Sequence, residues 1–182
     1  MSNYRIGLSR YCRNLGKRKP SPGGGSAICA AFCIGVSLIE KALRYSGKKP
    51  LKLKKITSEL IKLRLKINPY IDLDGKIFNE IMHKRGKKRM LMIKKSEAIT
   101  LSLAKNVKKA FFLAKKAEFD IKDGIASDYY IGLAFLRLSL SGCVDNLKAN
   151  SKMFSTKVKY LNCIKDSLRE TDKSIRRIRR NG

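Results

Sequence analysis

Two acidic residues lie two positions apart in a segment whose pattern predicts a helix. Asp72 and Asp74 follow Pro69 in the stretch "YIDLDGKIFNE", in a chain of 182 residues that has only 14 Asp and Glu. A positioned carboxylate can transfer protons to and from a reacting nitrogen or oxygen, so the pair is suited to general acid–base catalysis. Carboxylates in a first turn are also favoured by the helix dipole, and that structural interpretation stays open for this stretch taken alone.

A glycine run stands at the start of the longest apolar stretch, "PSPGGGSAICAAFCIGVSLIEKAL". Gly23, Gly24 and Gly25 allow a ligand to approach the backbone closely. Ser26 is a favourable N-cap, and we expect the helix to begin there. Free N–H groups at a helix start suit an anionic or carbonyl group, so the run predicts a binding site. A flexible linker would have the same composition, although it would not lead directly into a buried helix.

A third set of polar residues lies on a late apolar helix. Asp128 and Asn146 are eighteen residues apart, which is five helical turns, and Asn150 follows after four more. The spacing places the three on one face of the helix. Ser127 with Asp128 is also a common helix cap, so capping and ordinary surface positions are the alternative. We expect the glycine run, the paired aspartates and this polar edge to converge around one cavity.

Helical periodicity extends over most of the sequence, and strand signals are weak. We predict an all-α, single-domain bundle over residues 1–182, with five or six helices around two central apolar ones. Gly35, Gly132 and Gly142 should let the central pair approach closely. The predicted helices cover residues 26–46, 53–84 with a break at Pro69, 90–119, 127–154 and 156–180.

The charge balance predicts anionic partners. The chain has 42 Lys and Arg, giving a formal net charge of +28. Such a charge speeds association with nucleic acid, an anionic membrane surface or a polyanionic small substrate. Because the lysines are spread along the whole chain, a generally Lys-rich solvent face is an equally good interpretation.

The five cysteines contain no C-x-x-C pair, which favours buried reduced thiols and a cytoplasmic location. Cys29 and Cys33 lie one turn apart but have no further ligand nearby, so we predict no metal site. The uncharged run from Ala27 to Ile39 is 13 residues long. A run of that length is too short to span a bilayer, so we expect no membrane association.

Taken together, these motifs resemble the cyclodeaminase/cyclohydrolase family of folate enzymes. The similarity extends from about Leu15 to Phe154. It rests on a Pro-Gly-Gly-Gly-Ser run before a small-residue helix that ends in Gly and basic residues, on Asp-x-Asp-x-x-x-Phe, and on Ser-Asp with Asn eighteen and twenty-two positions after the Asp. In this chain these are Pro22–Ser26 with Gly47, Lys48 and Lys49, then Asp72, Asp74 and Phe78, then Ser127, Asp128, Asn146 and Asn150.

The resemblance implies an all-helical homodimer that binds a tetrahydrofolate derivative, with or without a polyglutamate tail, and that needs no cofactor beyond that substrate. It implies either formiminotetrahydrofolate cyclodeaminase or methenyltetrahydrofolate cyclohydrolase activity, and a free single domain slightly favours the cyclohydrolase. Asp74 would be the catalytic acid–base, with Asp72 as the second candidate. The implied substrate-binding residues are Gly23, Gly24, Gly25, Ser26, Asn79, Ser127, Asp128, Asn146 and Asn150.

Two departures from the family pattern keep alternatives open. The chain has "GKKRM" where family members carry Leu-Pro-Lys, and Ile121-Lys122 where they carry Gly-Asn. A non-catalytic relative with the same fold is therefore one alternative. A basic helical nucleic-acid-binding protein is another, but it lacks a helix-turn-helix or zinc signature and leaves the glycine run unexplained.

Overall fold

The computed structural model describes residues 4–47, 50–156 and 161–180, and this part of the chain is helical without strands. The all-α prediction is confirmed. The α-helices are α1 (Tyr4–Leu15), α2 (Gly24–Ser46), α3 (Pro50–Ile67), α4 (Tyr70–His83), α5 (Gly86–Lys115), α6 (Ala126–Phe154) and α7 (Leu161–Arg180). Helices α2 to α7 form the predicted bundle, and α1 precedes it. That residues 1–182 form one domain stays a prediction.

Helices α2 and α6 are the central pair, as predicted, and they run antiparallel. Ile28 packs against Gly142 near one end of the pair, and Lys41 contacts Asp128 near the other. Large side chains that are fully buried, among them Phe32, Ile39 and Leu136, fill the core around this pair. The start of α2 and the end of α6 therefore lie at the same end of the bundle.

Small residues allow α2 and α6 to pack closely, which confirms the predicted role of the glycines. A Cβ added to Gly35 would lie 2.8 Å from the carbonyl oxygen of Gly132, and one added to Gly132 would lie 2.6 Å from Cγ1 of Ile39. At Gly142 an added Cβ would overlap Ile28. Since real Cβ atoms do not tolerate such distances, any larger residue at these positions would push the two helices apart.

We expect Gly35→Ala to lower the free energy of unfolding by about 1–3 kcal/mol, the usual cost of overpacking a core. Gly7→Ala is a matched control, because its Cβ would meet nothing within 4 Å and alanine favours a helix. Urea denaturation followed by circular dichroism measures both. Equal stability of the two variants would contradict the close packing of α2 on α6.

Several predicted boundaries are wrong. Helix α2 begins at Gly24 rather than Ser26, because Gly23 takes the N-cap position with an extended backbone. Gly86, expected to end a helix, begins α5, and α4 already ends at His83. Helix α1 was not predicted, and the predicted residues 157–160 lie outside the described part. The Pro69 break and the Gly47 end of α2 are confirmed, with Gly47 in a left-handed conformation at φ 53°.

Helix α2 is long and apolar enough to cross a membrane by length and composition. It has 23 residues, so the uncharged run of 13 residues underestimated the length of this apolar helix. Half of its most apolar window is buried inside the bundle. Since the core helix of a soluble protein meets the same criteria, packing against α6 accounts for the composition of α2 without a membrane.

Candidate active site

Asp74 lies directly against the glycine run. A Cβ on Gly25 would overlap the Asp74 carboxylate, at 2.5 Å from its Cγ and Oδ2. The backbone N–H of Ser26 donates a hydrogen bond to this carboxylate. The Asp74 side chain of α4 therefore lies at the start of α2, where it accepts a hydrogen bond from one of the N–H groups that begin the helix. Of the three glycines, Gly25 is the one whose missing side chain makes room for the carboxylate.

The Ser26 hydroxyl has a different partner from the one predicted. Ser26 is buried, and its Oγ lies 2.8 Å from the hydroxyl of Tyr11 on α1. No side-chain hydrogen bond caps α2. The expected N-cap role of Ser26 is therefore wrong. Its hydroxyl forms a hydrogen bond with Tyr11 of α1, and its backbone N–H donates to the Asp74 carboxylate.

Burial raises the pKa of Asp74 above its ordinary value of 3.8, and the Ser26 N–H only partly offsets that rise. The side chain is half-buried between α2 and α4. A carboxyl with a raised pKa exchanges its proton more readily near neutral pH than an exposed aspartate does, as an acid–base catalyst must. By contrast, Asp72 lies in the first turn of α4 and is exposed.

Tyr11, Ser26, Cys29, Asp72 and Asp74 form one group of side chains, called here the α1/α2/α4 cluster. The charge of Asp72 adds to the rise in the pKa of Tyr11, which burial causes first. Burial, and then the charge of Asp74, raise the pKa of the Cys29 thiol to about 12. Cys29 is therefore a neutral thiol near pH 7, and a neutral thiol does not act as a nucleophile. Among the members of the cluster, Asp74 is the half-buried carboxyl whose pKa is raised by burial.

The three asparagines predicted to bind substrate lie on two helices, Asn146 and Asn150 on α6 and Asn79 on α4. Asn146 on α6 is at the same end of the bundle as the glycine run, and its amide donates to the Thr100 hydroxyl at 3.3 Å. Asn150 follows one turn later and is half-buried. Asn79, on α4 like Asp74, is exposed. Asn146 and Asn150 thus lie near the glycine end, although the structure gives neither a contact with the cluster.

Ser127 and Asp128 lie at the other end of α6, so the expected convergence of all three motifs around one cavity is wrong. Eighteen residues separate Asp128 from Asn146, which is about 27 Å along the helix axis. Lys41, near the end of α2, contacts the Asp128 carboxylate at 2.6 Å. Asp128 contacts α2 through Lys41, whereas Asn146 contacts α5 through Thr100, so the two residues meet neither at one end of the bundle nor at one neighbouring helix.

Four hollows in the described part of the chain are lined by residues outside the cluster. One of about 180 Å³ opens between α5, α6 and α7 beside Leu101, Leu140 and Ile164. In the part of the chain that the structure describes, no group of three His, Cys, Asp or Glu side chains is placed to hold a metal ion. The five cysteines are free.

Comparisons with known proteins identify the family and the fold of this chain. The formiminotransferase-cyclodeaminase family model matches residues 7–169. The chain belongs to this family. The match includes all three motifs, the cluster and the Asp128 end of α6. No curated protein matches the chain.

A solved structure supports the fold of this family member. The formiminotetrahydrofolate cyclodeaminase from Thermotoga maritima superposes with a TM-score of 0.79 and covers 97% of this chain and 93% of its own. The two sequences are 18% identical. At that identity, the likeness establishes the fold alone.

Tyr11 is the cluster residue that the sequence did not indicate. It lies in α1, a short helix without a strong apolar pattern, and fifteen positions before Ser26. The one feature of the sequence that could have indicated Tyr11 is that it is an aromatic residue in a basic, polar segment. Because α1 was not predicted, nothing placed that residue against the start of α2.

Proposed function

We propose that this protein is a folate enzyme of one-carbon metabolism, with formiminotetrahydrofolate cyclodeaminase or methenyltetrahydrofolate cyclohydrolase activity. The observation that carries the proposal is the half-buried Asp74 carboxylate held against Gly25 and the Ser26 N–H. Membership of the formiminotransferase-cyclodeaminase family supports the substrate class. The proposed location is cytoplasmic, which five free cysteines favour.

Asp74 has one role in either reaction, as the acid–base. In the deaminase reaction N10 attacks the carbon of the protonated formimino group on N5, and Asp74 accepts the N10 proton. Asp74 then returns this proton to the former imino nitrogen, the bond from that nitrogen to the carbon breaks, and ammonia leaves as the methenyl bridge forms. In the cyclohydrolase reaction water adds to the methenyl carbon while Asp74 accepts its proton. Asp74 returns this proton to N5 as the bond from that carbon to N5 breaks, and the hydroxyl left on the carbon loses its own proton to solvent, which gives 10-formyltetrahydrofolate. A single carboxylate that first accepts and then returns a proton serves both.

Absorbance at the methenyl band tests the proposal directly. The band should rise when the protein is incubated with 5-formiminotetrahydrofolate if it is a deaminase, and fall with 5,10-methenyltetrahydrofolate if it is a cyclohydrolase. The uncatalysed rate at the same pH is the control. If neither rate exceeds the uncatalysed one, the protein is a non-catalytic relative and the proposal fails.

The positive charge has a use in this proposal. Folates carry glutamate tails, and a net charge of +28 should attract them. We expect the KM for a polyglutamylated substrate to rise with salt, because salt screens such attraction. The KM for the monoglutamate should change much less. Equal salt dependence of the two substrates would show that the charge has no role in binding the tail.

A further inference from the structure

The hollow of about 180 Å³ between α5, α6 and α7, called here the α5/α7 hollow, is separate from the candidate active site. None of its described lining residues belongs to the α1/α2/α4 cluster or to the predicted substrate-binding residues. Small side chains leave the space, because Ala104, Cys163 and Ser167 meet where a close-packed core usually holds larger ones. The other lining residues are Leu101, Lys105, Lys108, Leu140 and Ile164.

The floor of the α5/α7 hollow is apolar. Ala104, Leu140 and Ile164 are buried there. The Ser167 hydroxyl already donates a hydrogen bond to the Cys163 carbonyl oxygen at 2.9 Å, so it needs no partner from a ligand. For comparison, an apolar cavity of roughly 150 Å³ engineered into another protein stays dry and binds benzene. The floor of the α5/α7 hollow therefore suits an apolar group about the size of one benzene ring.

The mouth of the α5/α7 hollow is cationic. Lys105 and Lys108 lie on one stripe of α5, because residues three apart are neighbours on a helix surface, and both are exposed. The Lys108 ammonium is 3.7 Å from the Glu170 carboxylate, and this pair is exposed, so it holds Lys108 weakly. Lys105 forms no ion pair with any residue that the structure describes. An anionic group at the mouth would therefore meet two ammonium groups without breaking a strong ion pair.

We propose that the α5/α7 hollow binds a small carboxylic acid whose apolar body is about the size of one benzene ring. The body packs against Ala104, Leu140 and Ile164, and the carboxylate lies at the mouth beside the Lys105 and Lys108 ammonium groups. An apolar cleft with a few polar groups that fix the orientation of the ligand is the usual form of a small-molecule site. This binding site does not depend on the reaction proposed above.

Phenylacetate is the probe for this site, because it joins one benzene ring to a carboxylate. Two matched compounds separate its parts: 2-phenylethanol has the ring without the charge, and acetate has the charge without the ring. Isothermal titration calorimetry of the full chain should show phenylacetate binding at least about tenfold more tightly than either compound, since neither uses both the floor and the mouth. At about 1 M salt its affinity should fall toward that of 2-phenylethanol, because salt screens the two lysines.

The Cys163 thiol reports where the acid binds. Cys163 lines the hollow and is exposed, and Cys12 on α1 is the other exposed cysteine. Iodoacetamide should label both thiols, and mass spectrometry measures each rate. Phenylacetate at about ten times its dissociation constant should slow the labelling of Cys163 about tenfold, because only the free protein reacts. The rate at Cys12 should stay the same, so Cys12 is the internal control.

Filling the hollow should abolish the binding of phenylacetate. Cys163→Phe places a ring in the hollow from an exposed position of α7, and Cys12→Phe on α1 is its matched control. Ala104→Leu fills the hollow from α5 and replaces the first variant if that one does not fold. Circular dichroism checks the fold of each variant, and calorimetry measures binding.

Removing the charge at the mouth should weaken binding without abolishing it. The double variant Lys105→Gln with Lys108→Gln should lower the affinity for phenylacetate about tenfold, the loss expected for two charges near the surface, and leave that for 2-phenylethanol unchanged. Lys109→Gln with Lys115→Gln is the matched control. It removes the same charge from the same helix outside the hollow, so its affinity for phenylacetate should equal that of the wild-type protein.

Three results would overturn the proposed site. One is phenylacetate that binds no better than 2-phenylethanol or acetate, or that shows no binding at about 10 mM. Another is binding that leaves the labelling of Cys163 unchanged, which would place the acid elsewhere. The third is a folded Cys163→Phe or Ala104→Leu variant that binds phenylacetate as well as the wild-type protein does. Loss of the proposed reaction would change none of these results, because none of the measurements follows turnover.

Discussion

Asp74→Asn should lower kcat by about 10²–10⁴-fold, the range that a positioned acid–base supplies, and should leave the fold intact. The variant keeps the size of the side chain and an oxygen that accepts the Ser26 N–H. It loses only the ability to accept and return a proton. The methenyl-band assay measures the loss, and far-ultraviolet circular dichroism checks the fold. Asp72→Asn is the control. Because Asp72 is exposed, this variant should retain most of the wild-type activity.

The stability of Asp74→Asn separates a catalytic carboxylate from a structural helix cap. The pKa of Asp74 is raised by burial, so its stabilising contribution is present below pH 3.8 and is lost as the pH rises through its folded-state pKa. At pH 7 the wild-type protein holds a desolvated charge that the variant lacks. We therefore expect the variant to be at least as stable at pH 7, with any advantage disappearing near pH 3. Marked destabilisation at pH 7 would indicate a cap that the helix dipole favours.

Gly25→Ala should lower both activity and stability, because its Cβ would occupy the position of the Asp74 carboxylate. Overpacking costs about 1–3 kcal/mol of unfolding free energy. A displacement of about 1 Å of a catalytic group lowers the rate about 100-fold. Chemical denaturation and the methenyl-band assay measure the two effects.

Gly24→Ala is the matched stability control for Gly25→Ala. Its Cβ would meet nothing within 4 Å, and alanine should stabilise the start of α2 slightly. The double variant Gly25→Ala with Asp74→Ala removes the overlap and should recover most of the lost stability. If the double variant is as unstable as Gly25→Ala, the carboxylate is not what the glycine accommodates.

Much of this arrangement was predictable from the sequence, because it follows from local patterns. The apolar composition of α2 and α6 identified the central pair, and Gly35 and Gly132 identified their close contact. The break at Pro69 predicted that Asp74 lies near the start of a new helix, and α4 begins at Tyr70. The glycine run indicated that something approaches the start of α2, although that group proved to be the protein's own carboxylate.

The rest depended on how helices pack in three dimensions. Periodicity gives the face of a helix but not the end of the bundle at which a residue lies, so Asp128 was placed with Asn146 although the axis separates them by about 27 Å. The antiparallel order of α2 and α6 is set by tertiary packing. Likewise, the Tyr11 contact required knowing where α1 lies. Ser26 was assigned a cap that its local sequence favoured and that Gly23 takes instead.

The most direct test of the account is the titration of the Asp74 side chain, followed by the carbonyl carbon chemical shift in isotope-labelled protein. Asp74→Asn identifies the signal. The account predicts a pKa above 3.8, and the same value on the acid limb of kcat/KM. A pKa at or below 3.8 would identify Asp74 as an ion that stabilises the start of α2, and would contradict its role as the acid–base.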